Sequence, residues 1–120
     1  MTTEAISRVV DELVREYPGA ASALESQVTL VRLPEVFYPD GRSPASSAAL
    51  VVLDPQQAMP KLLLKNPPAL KGGRAPRNVS AESAAGEGWY TFSFSQPWNE
   101  NDHTALQFVE GRLRRFGLNE

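Results

Sequence analysis

Gly88-Trp89-Tyr90-Thr91-Phe92-Ser93-Phe94-Ser95, followed by Gln96-Pro97-Trp98, is the stretch on which the reading of this 120-residue chain turns. Side chains alternate along a strand, so Tyr90, Phe92 and Phe94 share one face while Thr91, Ser93 and Ser95 share the other. One greasy and one polar face predict a strand lying on a core, with Tyr90 buried beside the two phenylalanines. Downstream, Leu106, Val109, Leu113 and Phe116 recur at spacings of three and four, and Ala105 and Phe108 widen the stripe. That is the pattern of an amphipathic helix. Asn99 or Asn101 is expected to cap it and Gly117 to close it. Glu100 and Asp102 suit the positive end of its dipole, and Arg112, Arg114 and Arg115 the negative end. Only Gly111 runs against the helix.

Working backwards, the long segment 66–88 holds three prolines, several glycines and few large apolar residues. It reads as a long loop, and loops of about twenty residues in compact domains are commonly functional. Before it, Lys61 to Lys65 sets three leucines between two lysines, and Ala48 to Leu53 is a continuous apolar run suited to a strand buried on both faces. Val28 to Leu33 reads as a strand that stops at Pro34, with Val36-Phe37-Tyr38 available to extend it before the turn at Pro39-Asp40-Gly41. Links this short cannot make parallel crossovers, so the four strands predict an antiparallel meander. At the start, Ile6, Val9, Val10, Leu13 and Val14 fall at helical spacing behind Thr2 or Thr3 as cap, and Pro18 ends the helix. Ala20 to Ser26 is consistent with one more helical turn or with a loop. The expected fold class is α+β in one domain over 1–120: an N-terminal helix, a four-stranded antiparallel meander, a long loop and a C-terminal helix.

Composition excludes some chemistry. The chain contains no cysteine, so it has no disulfide, no thiolate metal site and no thiol nucleophile. Net charge is −2, yet residues 55–80 carry Lys61, Lys65, Lys71, Arg74 and Arg77 with no acid among them. That basic stretch would suit an acidic protein partner. Nucleic acid is disfavoured, because no aromatic residue interleaves the cations between Lys61 and Arg77. Lys71-Gly72-Gly73-Arg74 lacks the ending and following helix of a phosphate-binding loop. Met1-Thr2-Thr3-Glu4 has neither region of a signal peptide, and apolar runs are short, so a cytoplasmic protein without membrane contact is expected.

The remaining candidates are few. His103 is the only histidine, and Asp102 and Glu100 beside it make a poor zinc set, so no metal or cofactor is expected. Asp102 and His103 project about 100° apart on a helix and cannot orient one another in a triad with Ser93 or Ser95. Tyr90 as a nucleophile would need a nearby base that the sequence does not supply. Trp89 and Trp98 read as packing residues. Phe37 and Tyr38, an aromatic pair at a turn, are candidates for an exposed partner contact, as are Lys71, Arg74 and Arg77 in the loop.

The order helix, three strands, loop, strand, tryptophan and helix resembles the ubiquitin-conjugating fold. Pro60-Lys61-Leu62-Leu63-Leu64 looks like that family's proline and third strand, and Asn66-Pro67-Pro68 falls near its His-Pro-Asn site. Asn66-Pro67-Pro68-Ala69-Leu70-Lys71-Gly72-Gly73-Arg74-Ala75-Pro76, with Trp89, Phe92-Ser93, Trp98, Asp102 and Leu106, is similar to a prokaryotic ubiquitin-conjugating-like family encoded beside bacterial ubiquitin-like pathways. The family's catalytic cysteine stands eight residues before the tryptophan, where this chain has Tyr90. Its histidine is absent, as are the helices that follow the one after the tryptophan. The resemblance therefore implies a non-catalytic variant, without thioester chemistry, that binds a ubiquitin-like modifier, an activating enzyme or a conjugating subunit. A hydroxyl-nucleophile enzyme on the same fold, or a small adaptor binding nucleic acid or acidic proteins through the basic loop, are the alternative expectations.

Overall fold

A computed structural model describes residues 1–39, 42–69, 73, 79–92, 98–99 and 103–118. The elements run α1 (Thr3–Glu16), β1 (Ala21–Glu25), β2 (Val28–Phe37), β3 (Ser46–Leu53), β4 (Lys61–Leu64), β5 (Val79–Ala84), β6 (Glu87–Phe92) and α2 (Ala105–Leu118). The expected α+β class is what the chain adopts, with a helix at each end of an antiparallel sheet. That sheet has six strands in the order β1-β2-β3-β4-β6-β5, rather than four.

The four expected strands are its consecutive centre, β2-β3-β4-β6, and the two additional ones are its edges. Each edge comes from a two-residue hairpin. Ser26 and Gln27 take φ of 51° and 70° between the paired residues Glu25 and Val28, and Ala85 and Gly86 take 51° and 75° between Ala84 and Glu87. Positive φ at both central residues matches the twist of the flanking strands. Ala20 to Ser26 is thus neither helix nor loop, and part of the stretch 66–88 read as loop is a strand. Both edges are built mostly from small and polar residues, with Leu24 and Val79 the one large apolar residue in each, so neither carries the apolar alternation that announces a strand.

Three further boundaries differ from expectation. β2 does not stop at Pro34 but passes through it, with the β2–β3 register shifting between Leu33 and Val36; a bulge is where a strand tolerates a residue lacking an N–H. Gly19, at φ +82°, turns the chain off α1 so closely over this bulge that a Cβ there would sit 3.2 Å from Pro34 Cγ. At α2, Thr104 is the cap in place of Asn99, and Asn101 lies outside the described residues. Thr104 Oγ1 accepts from Gln107 N–H at 3.1 Å and Gln107 Oε1 accepts from Thr104 N–H at 2.8 Å, a reciprocal capping box. The helix also continues through Gly117 to Leu118.

The helices lie on one face of the sheet. Ile6, Val9 and Leu13 of α1 and Ala105, Phe108, Val109 and Leu113 of α2 pack on Val31, Leu33, Val36, Ala49, Val51, Leu53, Leu62 and Leu64. α1 is capped by Thr2, whose Oγ1 accepts from Ala5 N–H at 3.1 Å, and ends before Pro18 as its sequence predicts. The alternate strand positions make a second, smaller cluster on the opposite face: Leu30, Leu50, Leu63 and Trp89. Among the described residues no helix covers that face, and no helix is long and apolar enough to cross a membrane.

Candidate functional site

The two tryptophans and two exposed aromatics define the regions worth weighing. On the open face the Trp89 ring is buried, and its Nε1 donates to the Ala84 carbonyl at 3.0 Å. Two cations flank the indole, Arg32 at 5.3 Å and Lys65 at 4.9 Å from the ring centroid. Glu87 joins them: Oε2 accepts from Arg32 at 2.6 Å and Oε1 from Lys65 at 2.7 Å, while Lys65 also donates to the Gly88 carbonyl at 2.8 Å. A second pair, Lys61 with Glu82, spans β4 and β5. Two of these charged side chains, Arg32 and Lys65, lie over the indole while staying partly exposed. Lys61 and Lys65, which in the sequence belong to a stretch with no acid of its own, are both engaged by acids from β5 and β6.

Hydrogen bonds from Lys65 and then Arg32 hold the Glu87 carboxyl below its ordinary value of 4.5. A carboxylate whose pKa is depressed on folding contributes stability that is present above the unfolded value and lost as pH falls through the folded one. Glu87→Gln is therefore expected to flatten the acid limb of stability below about pH 4.5, read by denaturant titration at stepped pH and low salt. An acid limb identical to the parent protein would show that Glu87 contributes nothing to the clamp.

Tyr90 pairs with Leu64 and Ala81 and faces the helix side, yet it is 41% exposed. It was expected in the core. Among the described residues the helix-side core is assembled on α1, α2, β2, β3 and β4, with Tyr38, and takes no buried residue from β6. Trp89, its neighbour on the opposite face, is the buried aromatic instead. Ser93, Ser95 and Asp102 lie outside the described residues, as do Lys71, Arg74 and Arg77.

His103 is committed to structure. Its Nδ1 accepts from Asn99 N–H at 2.8 Å, its own N–H donates to the Asn99 carbonyl at 2.9 Å, and its ring stacks on Trp98 at 5.7 Å. Among the described residues no group of three histidines or carboxylates is placed to hold a metal.

Phe37 and Tyr38 part company. Phe37 is 67% exposed at the end of β2, whereas Tyr38 is buried and its hydroxyl donates to the Asn66 carbonyl at 2.6 Å. Burial, against a smaller opposing hydrogen bond from Ser47, pushes the Tyr38 phenol up to about 12. Asn66 N–H donates to Ser47 Oγ at 2.8 Å, so the residue nearest the resembled His-Pro-Asn position has its backbone fastened on both sides. Ala69 is tied likewise: its N–H donates to the Ser43 carbonyl at 3.0 Å and its carbonyl accepts from Arg42 at 3.3 Å. Beside Phe37, a cleft of about 310 Å³ opens between β2 and α2, lined by Tyr38, Pro39, Leu113, Glu110 and Arg114. Glu110 and Arg114 form an i,i+4 pair at 3.7 Å on its rim. The sequence marked the aromatic pair; it held no signal that α2 would come to lie beside it. No family model, curated protein or solved structure matches this chain.

Proposed function

We propose that the protein is a non-catalytic, ubiquitin-conjugating-like binding module acting in the cytoplasm within a bacterial ubiquitin-like modification pathway, where it holds a ubiquitin-like modifier or a component of the conjugation machinery. The pathway half of this reading rests on the resemblance carried by Asn66-Pro67-Pro68, Trp89 and Trp98 and on Tyr90 standing in the nucleophile's place. A chain without a thiol cannot carry a modifier as a thioester. The binding half is carried by one observation: Phe37, 67% exposed, stands beside a cleft lined by Tyr38, Pro39 and Leu113 and rimmed by Glu110 and Arg114. An aromatic residue next to an apolar hollow with a charged rim is the arrangement that concentrates binding energy at protein interfaces.

The test begins with capture of partners on the immobilised full chain from its native host, identified by mass spectrometry. The purified partner is then titrated with the parent protein and with Phe37→Ala. The variant should bind at least about tenfold more weakly, or about 1.4 kcal/mol, while its stability stays within about 0.5 kcal/mol, as for an exposed substitution. Equal affinity would remove the cleft from the interface. Partners that include no modifier, activating enzyme or conjugating subunit would sink the pathway assignment.

A further inference from the structure

β1 ends the sheet, and among the described residues nothing pairs with its outer edge. All five of its residues, Ala21-Ser22-Ala23-Leu24-Glu25, are exposed, and Leu24 is 74% exposed. Natural edges are protected by lysine, proline, bulges or inward charges. This strand contains no lysine or proline, and its pairing with β2 runs from Ala21↔Arg32 to Glu25↔Val28 without a break in register.

The hairpin determines which backbone groups are free. Glu25 and Val28 close a two-residue turn, so they exchange both N–H and C=O bonds, and the alternation of an antiparallel ladder then turns Glu25, Ala23 and Ala21 towards β2. Ser22 and Leu24 direct their N–H and C=O groups outward. We infer that β1 is a self-association edge, pairing antiparallel with β1 of a second copy about a twofold axis at Ala23.

The occupant follows from the strand's own sequence. Centred on Ala23, the pairing sets Ser22 opposite the partner's Leu24 and Leu24 opposite the partner's Ser22, two hydrogen-bonded pairs giving four bonds. Ala23 meets its own copy in the non-hydrogen-bonded pair, where side chains approach most closely and a methyl fits. The two Leu24 side chains, on the same face and diagonal to each other, come within reach. Each Glu25 faces the partner's Ala21, which leaves the two carboxylates about 13 Å apart along the strands. No like charges oppose one another, and both copies use the same patch, so the assembly closes at two. Five residues per copy make a small interface, and the dimer is correspondingly weak.

Sedimentation of the full chain over a range of concentrations should show a monomer–dimer equilibrium. Leu24→Lys and Ser22→Pro should each raise its dissociation constant at least about tenfold, with circular dichroism and thermal melting unchanged. The proline is placed so that it removes an outward N–H and none that β2 uses. Because the chain has no cysteine of its own, Ala23→Cys gives a direct reading of register: cysteines about 4.5 Å apart at Cα lie within disulfide range, and the variant should cross-link on mild oxidation. Ala21→Cys should not. A monomer at every concentration, equal cross-linking at both positions, or a dimer indifferent to both edge variants would overturn the proposal. Open-ended growth would also overturn it, since it would mean that β1 pairs with a different strand, such as β5, of the next copy.

Discussion

Trp89→Ala should destabilise the protein by about 3 to 5 kcal/mol, the range for truncating a buried aromatic residue. Trp89 is 1% exposed although it stands on the sheet face that no described helix covers. It is itself the cover. Its ring closes over Leu30, Leu50 and Leu63, and it supplies the surface on which Arg32 and Lys65 sit at 5.3 and 4.9 Å. Removing the ring opens Leu50 and Leu63 to water and leaves the Ala84 carbonyl without the indole donor. Trp89→Phe separates the contributions: the apolar roof largely remains, and losing the hydrogen bond costs about 1 kcal/mol. Denaturant titration of both variants reads the difference. A loss under about 1 kcal/mol for the alanine variant would mean that the charged side chains cover this face unaided.

Phe108→Ala should cost a comparable 3 to 5 kcal/mol, or about that, through the opposite face. Phe108 is 1% exposed, lies in the core shared by both helices and the sheet, and meets Trp98 edge-to-face at 5.6 Å with an interplanar angle of 78°. Arg112 lies over the same ring at 5.5 Å. The truncation therefore leaves a cavity under α2 and unseats the Trp98 and His103 stack at the helix start. Trp98 is only half-buried, so its own replacement by alanine should cost less. A double-mutant cycle between the two should return a coupling of about 0.5 to 1.5 kcal/mol for the ring pair; additivity within about 0.3 kcal/mol would show that the contact contributes nothing of its own.

The helices and the central strands were legible because each buries one continuous stripe. Ile6, Val9 and Leu13 on α1, and Phe108, Val109 and Leu113 on α2, announce their buried sides by spacing alone, and all are buried. The run Ala48 to Leu53 places Ala49, Val51 and Leu53 under the helices and Leu50 in the opposite cluster, as a strand apolar on both faces should. The edges were not legible. Ala21–Glu25 and Val79–Ala84 are strands because a sheet edge offered them partners; their small side chains contribute little apolar burial and so leave no period to read.

The candidate site divides the same way. Sequence alone established that no thiol chemistry is open to this chain, that Tyr90 stands eight residues before Trp98, and that Phe37 and Tyr38 adjoin at a strand end. Alternation also placed Trp89 and Tyr90 on opposite faces. Which of the two would be buried was decided by what lay above each face. Tyr90 is left 41% exposed, while Arg32 of β2, Lys65 just beyond β4 and Glu87 of β6 close around Trp89. Likewise only the tertiary structure separates Phe37, left in solvent, from Tyr38, which joins the core and whose hydroxyl reaches Asn66 twenty-eight residues away. Periodicity records which side of its own element a residue takes. Burial depends on what distant segment arrives over that side, and that is settled only when the chain closes on itself.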